Sequence, residues 1–229
     1  MYEGTPRPYS VGTDDAVTIL MMAGIAVLIA VFAFARHTMA QQAKTFFYNT
    51  GDARDLTSQL SKPVAVLALL CCNMMAVASL IGADATEGGI ENSTEPIAML
   101  AAYMAFFMAY YALKWLVYNA VNMILFDRKK TLQWNQAFFF IIATTGVMLL
   151  PVVMAAIYLH LDNKTALILL IIVLFLNKIM AFYKTNRIFF NKKHFLLQNI
   201  LYLCTLEIMP LLAASGLWQI LTSELKINF

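Results

Sequence analysis

Tyr202-Leu203-Cys204-Thr205-Leu206-Glu207-Ile208-Met209-Pro210 lies inside the run 195–223, in which Glu207 is the only formally charged residue. A carboxylate in so apolar a stretch needs a reason. At the centre of a bilayer a charge costs about 2.5–3.5 kcal/mol on insertion scales. Side chains in that position face a bundle interior, pair with an opposite charge, or line a wet cavity. The rest of the chain therefore has to supply either a partner or a cavity.

Composition says what kind of chain this is. Of the 229 residues, 61% are hydrophobic and 13% charged, against roughly 45–50% and about 25% in soluble domains. One soluble core of this size cannot hide so much apolar surface. The expected fold is all-α, a polytopic membrane bundle of six transmembrane helices. The net charge of +3 is modest, and no nucleic-acid partner is expected. The lipid bilayer is the expected partner, together with other envelope membrane proteins or a second copy.

Working outward from Glu207 gives the organisation. Residues 1–15 are a polar N-terminal segment, 16–225 the six-helix domain and 226–229 a short tail. The expected spans are 16–35, 63–83, 97–126, 137–161, 165–183 and 195–223. About 20 apolar residues at 1.5 Å rise match a ~30 Å hydrocarbon core. Ala33-Phe34-Ala35 has a small-x-small pattern like a signal cleavage site, but Glu3, Asp14 and Asp15 precede the first run where a signal peptide has bases. The first run is therefore expected to stay as a span. Residues 36–62 hold Phe46-Phe47-Tyr48 among bases, either a helix at the headgroup level or a connecting loop; both readings stay open. Trp134 is expected to mark a membrane interface, and Pro151 to kink the fourth span. Asn92-Ser93-Thr94 fits a glycosylation sequon, relevant only to a eukaryotic secretory protein.

Loops 36–62, 127–136 and 184–194 hold eleven of the sixteen Lys and Arg residues, while the opposite side holds only Arg7, Lys164 and Lys226. The positive-inside rule then puts the basic loops in the cytoplasm and both termini on the non-cytoplasmic side. The cytoplasmic basic face is expected to comprise Arg128, Lys129, Lys130, Lys184, Arg187, Lys192 and Lys193.

Two bases fall inside spans, Lys114 and Lys178. Lys114 is twelve residues from the expected cytoplasmic end at Phe126, and Glu207 twelve from Phe195; both lie roughly 18 Å deep at helical rise. Lys178 is five residues from Tyr183, roughly 8 Å deep, and can snorkel. Lys114 is thus the expected partner of Glu207. Tyr103, Phe107, Tyr110, Lys114, Tyr118 and Val121 recur every three or four residues and share one helical stripe. Pro210 frees the carbonyl of Leu206 beside Glu207. Glu207, Lys114, Tyr110, Tyr118, Tyr202 and Pro210 are the candidate residues, either a structural ion pair or a substrate-binding site.

Cys71, Cys72 and Cys204 all sit in apolar runs and read as small buried hydrophobes. No HExxH, paired acidic motif or phosphate loop is present, so no catalytic residue, metal site or cofactor is expected.

The stretch from Tyr202 to Leu212 resembles the C-terminal signature of the bacterial domain-of-unknown-function 4271 family. Phe182-Tyr183-Lys184-Thr185-Asn186-Arg187 and the stretch from Phe46-Phe47-Tyr48 to Arg54 are similar to its other recurring pieces. The resemblance covers about residues 40–215. It implies a small multi-span inner-membrane protein of a Gram-negative bacterium, with no assigned activity, and points to Glu207, Pro210, Tyr202 and Arg187. Two roles follow as expectations. One is a non-enzymatic membrane component or assembly subunit built around the Lys–Glu pair. The other is a small transporter or proton-coupled carrier with its site at the bilayer midplane. Spans three and six both carry a central charge, as an inverted repeat would place them, but their connecting lengths do not match. A lipid-modifying enzyme would need a second acid, a His pair or a nucleophile near Glu207, and the sequence places none there.

Overall fold

The computed structural model describes residues 11–47, 62–87, 96–159, 163–189, 204–208, 210 and 212–217. Among them there is no strand. The helices are α1 (Val11–Phe47), α2 (Lys62–Glu87), α3 (Pro96–Leu125), α4 (Arg128–Tyr158) and α5 (Asn163–Phe189). A five-residue π-helix, Cys204–Ile208, follows. Five helices are long and apolar enough to cross a membrane. The sixth expected span is described only in part, as the shorter apolar helical stretch Thr205–Leu217.

Most helices outrun the apolar runs that announced them, because backbone hydrogen bonding continues into polar sequence once a helix is under way. α1 continues to Phe47 across a break at Ala35, φ −117° and ψ 17°, the last residue before Arg36. Residues 36–47 are therefore helical; 48–61 lie outside the described residues. α4 begins at Arg128, nine residues before its expected start. It follows α3 through residues 126–127 alone, where the carbonyl of Asp127 accepts from the N–H groups of Lys130 and Thr131 at 3.0 and 3.2 Å. α4 also passes through Pro151 without interruption.

α2 and α4 form the centre. Their inward rows are Val64, Leu67, Cys71, Met74 and Val77 on one, and Phe138, Ile142, Leu149 and Val153 on the other, all buried in one cluster. Gly146 permits the closest approach: a Cβ there would lie 2.8 Å from the backbone nitrogen of Cys71. Only glycine fits, the small-residue device by which membrane helices pack backbone to backbone. α4 also contacts α1, α3 and α5.

The outer faces are apolar. Phe34 is 92% exposed, Ile124 83% and Phe175 64%. On α5, Ile168, Ile171, Phe175, Ile179 and Phe182 form an exposed stripe at helical spacing, whereas Val173, Ala181, Lys184 and Thr185 are buried. Apolar residues turned outward on so many helices match a lipid solvent.

Two expectations change at this level. Trp134 is not an interface marker. It is buried, its ring 5.1 Å from that of Tyr118, because the early start of α4 carries it a turn and a half into the bundle. Lys184, expected on the cytoplasmic basic face, does not present its side chain to solvent. It is 5% exposed, and its ammonium donates to the carbonyls of Thr45 and Phe46 at 3.2 and 2.9 Å. Arg187, one turn later, donates to Phe47 O and to the Tyr183 hydroxyl. Two cations on α5 thus cap the C-terminal carbonyls of α1, where a helix end leaves acceptors unfilled. The ends of α1 and α5 therefore lie side by side. Arg128 and Lys129 are exposed, and Lys130 sits 5.8 Å from the Phe126 ring. Lys192 and Lys193 lie outside the described residues.

Candidate functional site: a charge cluster on a cavity

α3 turns Tyr103, Lys114, Tyr118 and Asn122 inward, all at most 5% exposed. Lys114 and Tyr118 are one turn apart, so their polar tips converge on one point. The point is Glu207. The Lys114 ammonium donates to Oε2 at 2.7 Å and the Tyr118 hydroxyl to Oε1 at 2.7 Å.

A third donor comes from α5. Lys178 also donates to Glu207 Oε2. The depth reasoning that set Lys178 aside took the apolar run, ending at Tyr183, as the helix end. α5 continues to Phe189, so Lys178 is eleven residues from its end; Lys114 is likewise eleven from Leu125 at the end of α3. Both are roughly 16 Å in at helical rise. The two ammoniums meet the carboxylate at one level.

The carboxylate is delivered by the π-helix Cys204–Ile208. Such wide turns occur mostly singly and often at functional sites. It lies just before Pro210, whose ring removes the N–H that Leu206 O would accept in an α-helix. Leu206 and Glu207 are both buried, 4% and 8% exposed. Tyr202 lies outside the described residues, and Pro210 is half-buried.

The surroundings are aromatic. Lys114 Nζ stands 5.9 Å from the centroid of the Tyr118 ring and 6.0 Å from that of Phe138, and these two rings are 5.8 Å apart. Beside the cluster is a cavity of about 310 Å³, walled mainly by Phe107, Tyr110, Phe138, Ile142 and Leu174, with Lys114, Lys178 and Glu207 also in its lining. Trp134 and Asn177 also line it, Asn177 donating to Thr145 Oγ1, which in turn donates to Ile141 O at 2.8 Å. The Lys178 side chain is 35% exposed, against 6% for Lys114 and 10% for Glu207. Lys178 is the cation that reaches the open space.

Sequence reasoning missed Lys178 as a partner of Glu207, and the walls that α4 and α5 give the cavity, among them Trp134, Phe138, Ile142 and Leu174. A usable signal was the pair Asn177-Lys178, two polar residues inside a span where one would already be costly. Among the described residues no group of three His, Cys, Asp or Glu side chains is placed to hold a metal ion.

The family model described as Domain of unknown function (DUF4271) matches residues 17–217, and the chain belongs to that family. The match runs from α1 through Leu217 and includes Lys114, Lys178 and Glu207. No curated protein and no solved structure matches the chain.

Proposed function

We propose that this chain is a multi-pass inner-membrane protein without enzymatic activity, a membrane component or assembly subunit in which Glu207 clamps the C-terminal segment onto α3 and α5. One observation carries the reading: a single buried carboxylate accepts from Lys114, Tyr118 and Lys178 on two different helices. Few acceptor sites of that carboxylate are left for a substrate.

The orientation, basic loops inside and both termini outside, rests on the lysine and arginine distribution. A local observation supports it. Arg128, Lys129 and Lys130 occupy the first turn of α4, where positive charge opposes the helix dipole. Three bases there do not help the helix, so their placement is a matter of membrane side. A single cysteine placed at Lys164 in a cysteine-free background should react with an impermeant maleimide in intact cells, and one at Lys129 should not.

The clamp itself is tested by neutralising it. Glu207→Gln alone should lower the folded yield. The triple change Glu207→Leu, Lys114→Met and Lys178→Met should restore it, as apolar replacements of buried ion pairs often do. If the triple variant folds but does not complement a deletion strain, the charges act in chemistry and the clamp reading fails. Cross-linking of the native membrane would then show which neighbours, other envelope proteins or a second copy, the subunit assembles with.

The cavity favours a second reading, a small carrier with its site at the midplane. Uptake by proteoliposomes unaffected by Glu207→Gln and Lys114→Met would remove it.

A further inference from the structure

The charge count at the cluster does not close. Two ammoniums, Lys114 and Lys178, face one carboxylate, and among the described residues no other acid lines the cavity. Lys114 is enclosed and committed to Glu207. Lys178 shares the same Oε2, keeps further N–H groups of its ammonium, and is the more exposed of the two. The cluster therefore presents one surplus positive charge to the cavity. A surplus charge in a mainly apolar site draws an anion or remains poorly compensated.

The cavity sets the rest of the occupant. Its volume is about 310 Å³, room for roughly ten heavy atoms at the ~30 Å³ a water occupies in the liquid. Apart from the charged residues the wall is mainly aromatic and aliphatic, with the carbon-rich surfaces of Phe106, Phe107, Tyr110, Phe138, Ile142 and Leu174. That lining suits an apolar body and makes a bare, strongly hydrated ion a poor fit. The charged and the apolar residues line one cavity, so a single molecule reaches both.

We infer that the cavity binds a small amphipathic monoanion, a compact oxyanion head on an apolar body, about ten heavy atoms in all, with its head on Lys178 and its body among the aromatic side chains. This rests on the clamp reading, since it needs Lys114 to stay with Glu207 while Lys178 turns to the ligand. Lys178 is then the recognition cation, and Glu207 holds it in place without touching the ligand's body.

The test uses the full-length protein in nanodiscs of phosphatidylcholine, with empty nanodiscs subtracted, and labelled decanoate as the probe. Decanoate should bind saturably. Decanol, of equal length without the charge, should bind at least tenfold more weakly, the size of one lost charge-assisted hydrogen bond. Inorganic phosphate and acetate, heads without the body, should not compete. Lys178→Gln should weaken decanoate at least tenfold, Lys178→Arg should retain it, and both should unfold within a few degrees of the parent because Lys114 still holds Glu207. Equal binding of decanol and decanoate, or unchanged decanoate binding by Lys178→Gln, overturns the inference. So does competition by phosphate alone, which would make the site one for a bare anion. A Glu207→Gln variant run in parallel separates the two readings. If it is as stable as the parent, the clamp is wrong; if it is destabilised while the parent binds no decanoate, only the ligand assignment fails.

Discussion

Helix α5 carries two buried cationic sites, and they are satisfied in different ways. Midway along the helix, Lys178 joins Lys114 on a carboxylate. Near its end, Lys184 pairs with no acid among the described residues and spends its ammonium on the Thr45 and Phe46 carbonyls, over the face of the Phe46 ring at 4.9 Å. The first arrangement opposes full charges. The second opposes a charge to the partial negative end of a helix, equivalent to about half an elementary charge. Depth accounts for the difference. At mid-span nearly every backbone carbonyl is taken up by its own helix, and here a side chain compensates. At a helix end the acceptors come with the fold.

The contrast is broken or sharpened by the following changes, taken from the largest effect. Glu207→Gln strands two ammoniums at once and should cost about 3–5 kcal/mol, the range for removing one side of a buried pair, read as loss of thermal stability in nanodiscs. A loss below 1 kcal/mol would mean that the mid-span site is no more demanding than the helix end. Lys184→Met leaves two carbonyls without their donor and should cost about 1–3 kcal/mol. It should also speed tryptic cleavage at Lys44 at the freed end of α1. Unchanged cleavage would show that the cap does not hold α1. Lys178→Met should cost less than Lys114→Met, since the Lys178 side chain is 35% exposed and that of Lys114 6%. The reverse order would place the surplus charge on Lys114. Smallest is Arg187→Gln, an exposed contact worth about 0–1 kcal/mol. Its effect should fade as salt rises from low ionic strength toward 1 M, where the Debye length falls to about 3 Å. The Lys114–Glu207 contact, being enclosed, should not respond.

The same two regions show what the residues alone disclosed. Counting inward at 1.5 Å per residue brought Lys114 and Glu207 to one level, and the structure places them 2.7 Å apart. That worked because α3 ends within a residue of its apolar run. It did not work for Lys178, since α5 continues through Lys184, Thr185 and Arg187. A polar residue ends a hydropathy run but need not end a helix. The expectation of a cytoplasmic basic face gives no hint that Lys184 is buried: its charge is legible, and the α1 carbonyls that receive it are not. Such acceptors belong to no side chain and leave no mark on the sequence. Trp134 was misplaced by one misjudged helix start. The cavity had no sequence signal, as volume arises only when four helices and the C-terminal segment are brought together.

The position of Glu207 in the chain has a consequence for biogenesis. Ribosomes deliver this protein from its N-terminus, so Lys114 and then Lys178 enter the membrane well before the carboxylate that answers them has been synthesised. Until then the nascent bundle carries two uncompensated charges at mid-depth, the kind of segment that insertion machinery retains and quality-control proteases recognise. The hydrophobic stretch around Glu207 arrives after the lysines and neutralises them, and a chain interrupted before Glu207 would be marked for removal by its own lysines.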